Sequence, residues 1–228
     1  MIQKDYIMRM IERLTKFLVK ILSKKNEGNH EEALSIIESA MVNIFGLSPD
    51  LFNTLSDIAI AELLGISKDK STGGIKCIVA ARLLKERTEI IELQENDSSF
   101  TNSCYQKVLS LYLQGMLSVG YTELDLTSYY TDINQIANKL GSLLPNDLIF
   151  KMYSLHTSLG EYDKAEDCLF RLRDAGYPDI MNIGRDFFKD LNKVDDSKLR
   201  KGNLTREEIE EGLKDFINCN SKDDMKSK

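Results

Sequence analysis

His30 and His156 are the two histidines of this chain, and Cys77, Cys104, Cys168 and Cys219 its four cysteines. Their residue types could carry nucleophilic or acid–base chemistry, provided a thiol or carboxylate stands beside an imidazole. One such pairing is open to the sequence. His156 lies just before Gly160 and Cys168 just after it, so a helical hairpin closed at that glycine could face thiol and imidazole. Elsewhere the patterns of chemistry are missing. There is no CxxC, no HExxH, no calcium-loop spacing and no paired histidine, so no metal set is expected. STGGIK (71–76) sets glycines ahead of a helix, where backbone N–H groups could hold an anion. It lacks the remaining glycine and the Lys-Ser/Thr of a nucleotide loop, and reads as a flexible turn. The sequence therefore nominates no catalytic, cofactor-binding or metal-binding residue. The scattered cysteines read as reduced thiols, packed as small hydrophobes in a cytoplasmic protein.

Charge bears on partners. The 228 residues carry a net charge of −6, which argues against a nucleic-acid ligand because phosphate affinity needs a basic face. The balance is uneven. Residues 1–25 hold seven cations (Lys4, Arg9, Arg13, Lys16, Lys20, Lys24, Lys25) against Asp5 and Glu12, a net +5 that leaves −11 for 26–228. Those same early charges interrupt any signal peptide, and no run approaches the roughly 18 apolar residues of a membrane span.

YIMRMIERLTKFLVKIL (6–22) concentrates this asymmetry. On a helical wheel Arg9, Arg13, Lys16, Lys20 and Lys24 form one stripe, while Ile7, Met10, Ile11, Leu14, Phe17, Leu18, Ile21 and Leu22 cover the opposite face. Burying eight such side chains is worth on the order of 12–24 kcal/mol, more than the whole stability of a typical domain. Water cannot be left against that face. Docking onto the next helix is the expected cover, with a homodimer interface or an anionic membrane surface as the alternatives. Arg9, Arg13, Lys16 and Lys20 become candidates for partner binding. Tyr112, Tyr129 and Tyr130 join them, because tyrosine is favoured at interfaces, although it equally lines the core of a Trp-free protein.

The elements that must position these residues are helices. Apolar residues recur every three or four positions about ten times, with three prolines and no convincing alternating strand. Helices are expected at 3–25, after Gly28-Asn29, and from Ser48-Pro49 to Leu64. SKDKSTGG (67–74) reads as a loop before a long helix from Ile75 to about Glu95. Further helices carry Phe100 to Met116 and Leu126 to Leu140, begin at Pro145, cover 161–175, and run from Pro178 to Leu191. Residues 194–203 read as a linker, and Thr205 with Glu208 as the capping box of a last helix, 204–217. A disordered tail, 218–228, closes the chain. The expected fold is all-α: a single domain over 1–193 of about nine to ten antiparallel helices.

Two stretches repeat a pattern. EGNHEEALSIIESA (27–40) and LGEYDKAEDCLFRL (159–172) both place a glycine, a ring two positions on and an alanine three beyond: Gly28, His30, Ala33 and Gly160, Tyr162, Ala165. Glycine permits the tight turn, the ring packs on the preceding helix, and alanine lets two axes approach. This resembles the tetratricopeptide repeat, whose second helix opens with Gly-x-Tyr-x-x-Ala. Phe17, Ala40 and Pro178 fall near further repeat positions, while Lys20-Ile21 and Met152-Tyr153 replace its Leu-Gly pair. The opening MIQKDYIMRMIE (1–12) resembles a small bacterial family known only as a domain of unknown function. That resemblance implies a tetratricopeptide-like helical fold and supplies no catalytic residues. The expected function is a non-catalytic protein-interaction or scaffold module. The alternative is a small-molecule-binding or weakly enzymatic bundle using the His156 region.

Overall fold

The computed structural model of the chain describes residues 2–94, 97–119 and 124–218. Cys219, Tyr121 and the expected tail beyond Asn218 lie outside them. The fold is an all-α array: among the described residues there are twelve α-helices, one 3-10 turn and no strand. Where one domain was expected over 1–193, the chain forms two compact units, Met1–Leu144 and Pro145–Lys228.

The first unit contains α1 (Ile2–Asn26), α2 (His30–Phe45), α3 (Pro49–Thr54), α4 (Asp57–Leu63), α5 (Lys70–Gln94), α6 (Ser98–Val119) and α7 (Thr127–Leu140). Helix α5 is its axis, packed by α1, α2, α4 and α6. Its apolar residues surround it rather than forming one stripe, and between Gly73 and Ile91 most of its side chains are buried. A helix that is apolar all round belongs in an interior.

Two sequence expectations fail here for local reasons. SKDKSTGG is not wholly a loop, because α5 begins at Lys70 after the Asp69 carboxylate accepts from the Ser71 and Thr72 N–H groups at 3.1 and 3.2 Å. Gly73 and Gly74 serve close approach instead. A Cβ on Gly74 would lie 2.9 Å from the Gly115 carbonyl oxygen, and one on Gly115 would lie 2.7 Å from that of Gly74. Helices α5 and α6 thus touch backbone to backbone. The helix expected from Pro49 to Leu64 is two helices, α3 and α4. Leu55 turns extended, and the Ser56 hydroxyl accepts from Ala59 N–H at 3.2 Å to start the second. Lys107 of α6 closes the break by donating to the carbonyls of Phe52, Asn53 and Leu55 at 2.8–3.2 Å. A cation there meets the unsatisfied carbonyl end of α3.

The second unit contains α8 (Asn146–Leu159), α9 (Tyr162–Asp174), α10 (Ile180–Leu191), α11 (Asp196–Lys201) and α12 (Arg206–Asn218). Its core is aromatic. Phe216 of α12 is fully buried, with ring centroids 5.4 Å from Phe170 and 5.9 Å from Phe188. Gly184 admits it: a Cβ there would stand 2.2 Å from the Phe216 ring. The expected linker, 194–203, is corrected by this packing. It folds as α11, buries Leu199, and ends at Gly202, whose carbonyl accepts from Asp163 N–H at 3.1 Å. Leu199, the Gly202 carbonyl and the Asn203 amide, which donates to the Asp163 carboxylate at 2.9 Å, dock what the segment's charged composition disguised. The Thr205–Glu208 capping box is present in both directions, at 2.8 and 3.2 Å.

Candidate functional site

Four charged residues of α5, Arg82, Lys85, Glu86 and Glu89, follow i, i+3, i+4, i+7 spacing and so share one face. Lys25 reaches them from the end of α1, and Asp132 from α7. The six close into a ring of alternating sign. Lys25 meets Glu86 at 3.0 Å, Glu86 meets Arg82 at 2.8 Å, and Arg82 meets Asp132 at 2.6 Å. Asp132 meets Lys85 at 3.3 Å, Lys85 meets Glu89 at 2.6 Å, and Glu89 returns to Lys25 in a short contact. Tyr112 of α6 donates its hydroxyl to Asp132 at 2.9 Å from the interior. Glu86 is 1% exposed and Asp132 5%.

Three cations balance three anions, so the ring is neutral. Desolvation would lower Lys25, but its bonds to Glu89 and Glu86 hold it above its ordinary value. Burial would raise Glu89, yet Lys25 and Lys85 hold it below the ordinary carboxylate range. Burial, reinforced by the Asp132 charge, pushes the Tyr112 phenol up. Acid–base catalysis near neutrality needs groups brought toward pH 7. These are driven away from it. The ring fixes α1, α5 and α7 against one another, and each ion lost would leave a buried opposite charge uncompensated. Its outer edge opens on a surface depression of about 380 Å³ that Glu92, Tyr105, Gln135 and Lys139 also line.

Sequence reasoning missed this ring. The signal was present: four charges on one stripe of a helix whose remaining positions from Cys77 to Ile91 are apolar except Arg87 and Thr88. Asp132 carried no such mark.

The residues that were nominated lie elsewhere. Arg9, Arg13, Lys16 and Lys20 are all exposed along α1, and among the described residues they enter no ion pair. Beside them Asp5, Tyr6, Met10 and Ile44 line, with Arg9 and Arg13, a cleft of about 380 Å³. Ile7, Met10, Leu14 and Ile21 are buried against the unit, so α1 docks through that row. Met8, Val19 and Leu22 stay exposed. Tyr112 is corrected: it is fully buried, bonded to Asp132, and presents nothing at the surface. Tyr129 is half-buried with its ring 6.1 Å from that of Tyr112, and Tyr130 is half-buried. The two turns are built as their residue types suggest. Gly28 and Gly160 have φ of +77° and +75°, Ala33 and Ala165 are fully buried, and His30 and Tyr162 are half-buried.

His156 is 2% exposed, with Nδ1 2.9 Å from a Glu161 carboxylate oxygen whose other oxygen accepts from Lys164 at 3.0 Å. Burial, reinforced by the Lys164 charge, pushes the imidazole down to about 4. Burial also pushes the Cys168 thiol up to about 12. A neutral imidazole and a protonated thiol are the wrong states for a nucleophile pair, which needs thiolate. Among the described residues no group of three or more His, Cys, Asp or Glu is placed to hold a metal ion, and no helix is long and apolar enough to cross a membrane.

The chain is thus an all-α array whose first unit ties α1, α5 and α7 together through a closed ring of charges. Residues 1–220 match the family described as "Family of unknown function (DUF6483)", and the chain belongs to it. No curated protein and no solved structure matches the chain.

Proposed function

We propose that this protein is a non-catalytic protein-interaction module that uses the outer surface of α1. One observation carries the reading: Arg9, Arg13, Lys16 and Lys20 stand exposed on one ridge without an ion pair among the described residues, beside an open cleft. The contrast with the ring supports it, since there every charge is matched and withdrawn. Hairpins α1–α2 and α8–α9, with glycine turns and buried alanines, fit a tetratricopeptide-like interaction scaffold. Unpaired thiols at Cys77, Cys104 and Cys168 fit a reducing, cytoplasmic setting.

The test is comparative capture from the native cells. Wild type and the variant carrying Arg9→Glu, Arg13→Glu, Lys16→Glu and Lys20→Glu are used as baits at equal amounts. A protein held stoichiometrically by wild type and lost by the variant, with unchanged circular dichroism, supports the reading. Partners retained equally by both baits would overturn the assignment to α1.

A further inference from the structure

From charge complementarity and the cleft together, we infer that the occupant of the α1 surface is an acidic amphipathic helix of a partner protein. This rests on the interaction reading above and specifies what is bound. The ridge residues recur at i, i+4, i+7 and i+11, the spacing at which one helix meets another lying nearly parallel to it. From Arg9 to Lys20 the row is about 16 Å long at 1.5 Å per residue, or three turns. A partner helix with carboxylates at matching intervals faces all four cations at once.

Charge alone does not hold such a helix, because exposed ion pairs contribute little individually and are screened by salt. The apolar features of the same surface supply the rest. The cleft between α1 and α2 is lined by Tyr6, Ile44 and the edge of the buried Met10, together with Arg9 and Arg13. Tyr6 is 44% exposed, and the Lys76 ammonium sits 5.5 Å from its ring centroid, adding a further cation at that end. A Leu-sized side chain of the partner seats in the cleft while its carboxylates lie along the ridge. An all-polar acidic tail leaves the cleft empty, and a nucleic-acid backbone gives no apolar anchor.

The experiment uses the full chain and three labelled helical peptides read by fluorescence anisotropy. The first carries glutamates at i, i+4, i+7 and i+11 with a leucine placed for the cleft. The second replaces that leucine by serine, and the third replaces the glutamates by lysine. The first peptide is expected to bind and to weaken several-fold as salt rises. Binding should fall at least ten-fold for the second peptide, and vanish for the third. Arg13→Glu with Lys16→Glu should cost at least ten-fold, and Tyr6→Asp, at a partly exposed site, should reproduce the loss caused by removing leucine. Equal binding of the first and third peptides, or indifference to the ridge substitutions, overturns the inference.

Two parallel measurements identify rival occupants. Sedimentation of wild type, but not the ridge variant, with phosphatidylserine vesicles, and no peptide binding, assigns the surface to a lipid. A concentration-dependent doubling of mass in light scattering that the ridge variant abolishes assigns it to a second copy. The two levels of the reading also fail separately. A cellular partner lost by the ridge variant, with no acidic peptide bound, removes the acidic helix and keeps the interaction surface; loss of both removes the surface itself.

Discussion

Helix α5 of the first unit buries Lys85 and Glu86, half-buries Arg82 and Glu89, and gives each an opposite charge within the ring. Helix α9 of the second unit half-buries Glu166 and gives it no hydrogen bond or ion pair among the described residues. Its carboxylate faces Gly212, where a Cβ would lie 2.2 Å from Oε1, and burial with the nearby charges of Asp167, Glu208 and Asp163 pushes it up to about 7. The comparison separates two outcomes of the same desolvation. A matched ion is held away from neutral pH, whereas an unmatched one is drawn into it. The first unit should therefore be indifferent to pH near neutrality, and the second should respond.

The largest break comes from opening the ring. Asp132→Ala removes the acceptor shared by Arg82, Lys85 and Tyr112, and should cost about 3–5 kcal/mol. Urea unfolding measures the loss, and hydrogen exchange should place it in α5 and α7. A cost below about 1 kcal/mol would mean that water already satisfies the ring. In the second unit the matching break is apolar. Phe216→Ala leaves a cavity among Phe170, Phe188 and Gly184 and should cost about 3 kcal/mol. Exchange should accelerate in α10 and α12 while α5 keeps its protection.

Smaller and sharper is the response to pH. The Glu166 carboxyl keeps its proton to about 7 in the folded state, against an ordinary 4.5 when unfolded. The folded state thus binds the extra proton, and stability falls as pH rises from about 4.5 through 7. Glu166→Gln should raise stability by about 1 kcal/mol at pH 8, after allowing for solvent screening, and have no effect below 4.5. His156 works in the other direction. Its imidazole is pushed down to about 4 from an ordinary 6.5, so the unfolded chain takes the proton first and stability falls as pH drops from 6.5 to 4. His156→Gln should flatten that acid limb in calorimetry while leaving the alkaline one. Smallest of all is the ridge. Each reversal of Arg13, Lys16 or Lys20 should change stability by under about 1 kcal/mol, because these charges are exposed. A melting temperature lowered by many degrees would show that the ridge serves folding.

Much of the fold was legible because helical periodicity, proline and glycine punctuation and capping pairs act locally. Thr205 and Glu208 lie three residues apart, and their reciprocal bonds follow from that spacing alone. Gly73 and Gly74 deceived because glycine answers two needs, a turn and a close approach, and the close partners, the Gly65–Ile66 backbone for Gly73 and Gly115 on another helix for Gly74, are set by the folded chain. Tyr112 deceived similarly: its surface or interior fate depends on Asp132, twenty residues away on α7. The ridge was readable as a stripe, since neighbours on one helix suffice to define it. The ring was half readable, its α5 members by spacing and its Lys25 and Asp132 members only through tertiary packing. Residues 194–203 looked like a linker because docking there rests on Leu199, a backbone carbonyl and a few polar contacts, which composition does not register.

The alternation of the ring also constrains how the sequence can drift. With an even number of members, every ion has two neighbours of opposite sign, and reversing one turns two attractions into two repulsions. A single charge reversal should be costly, and a change at one position should become acceptable only with compensation at its neighbours. Positions 25, 82, 85, 86, 89 and 132 should therefore form one inherited set across the family. Members that have exchanged any of these charges should have exchanged or neutralised several together, while the exposed row on α1 remains free to change one residue at a time.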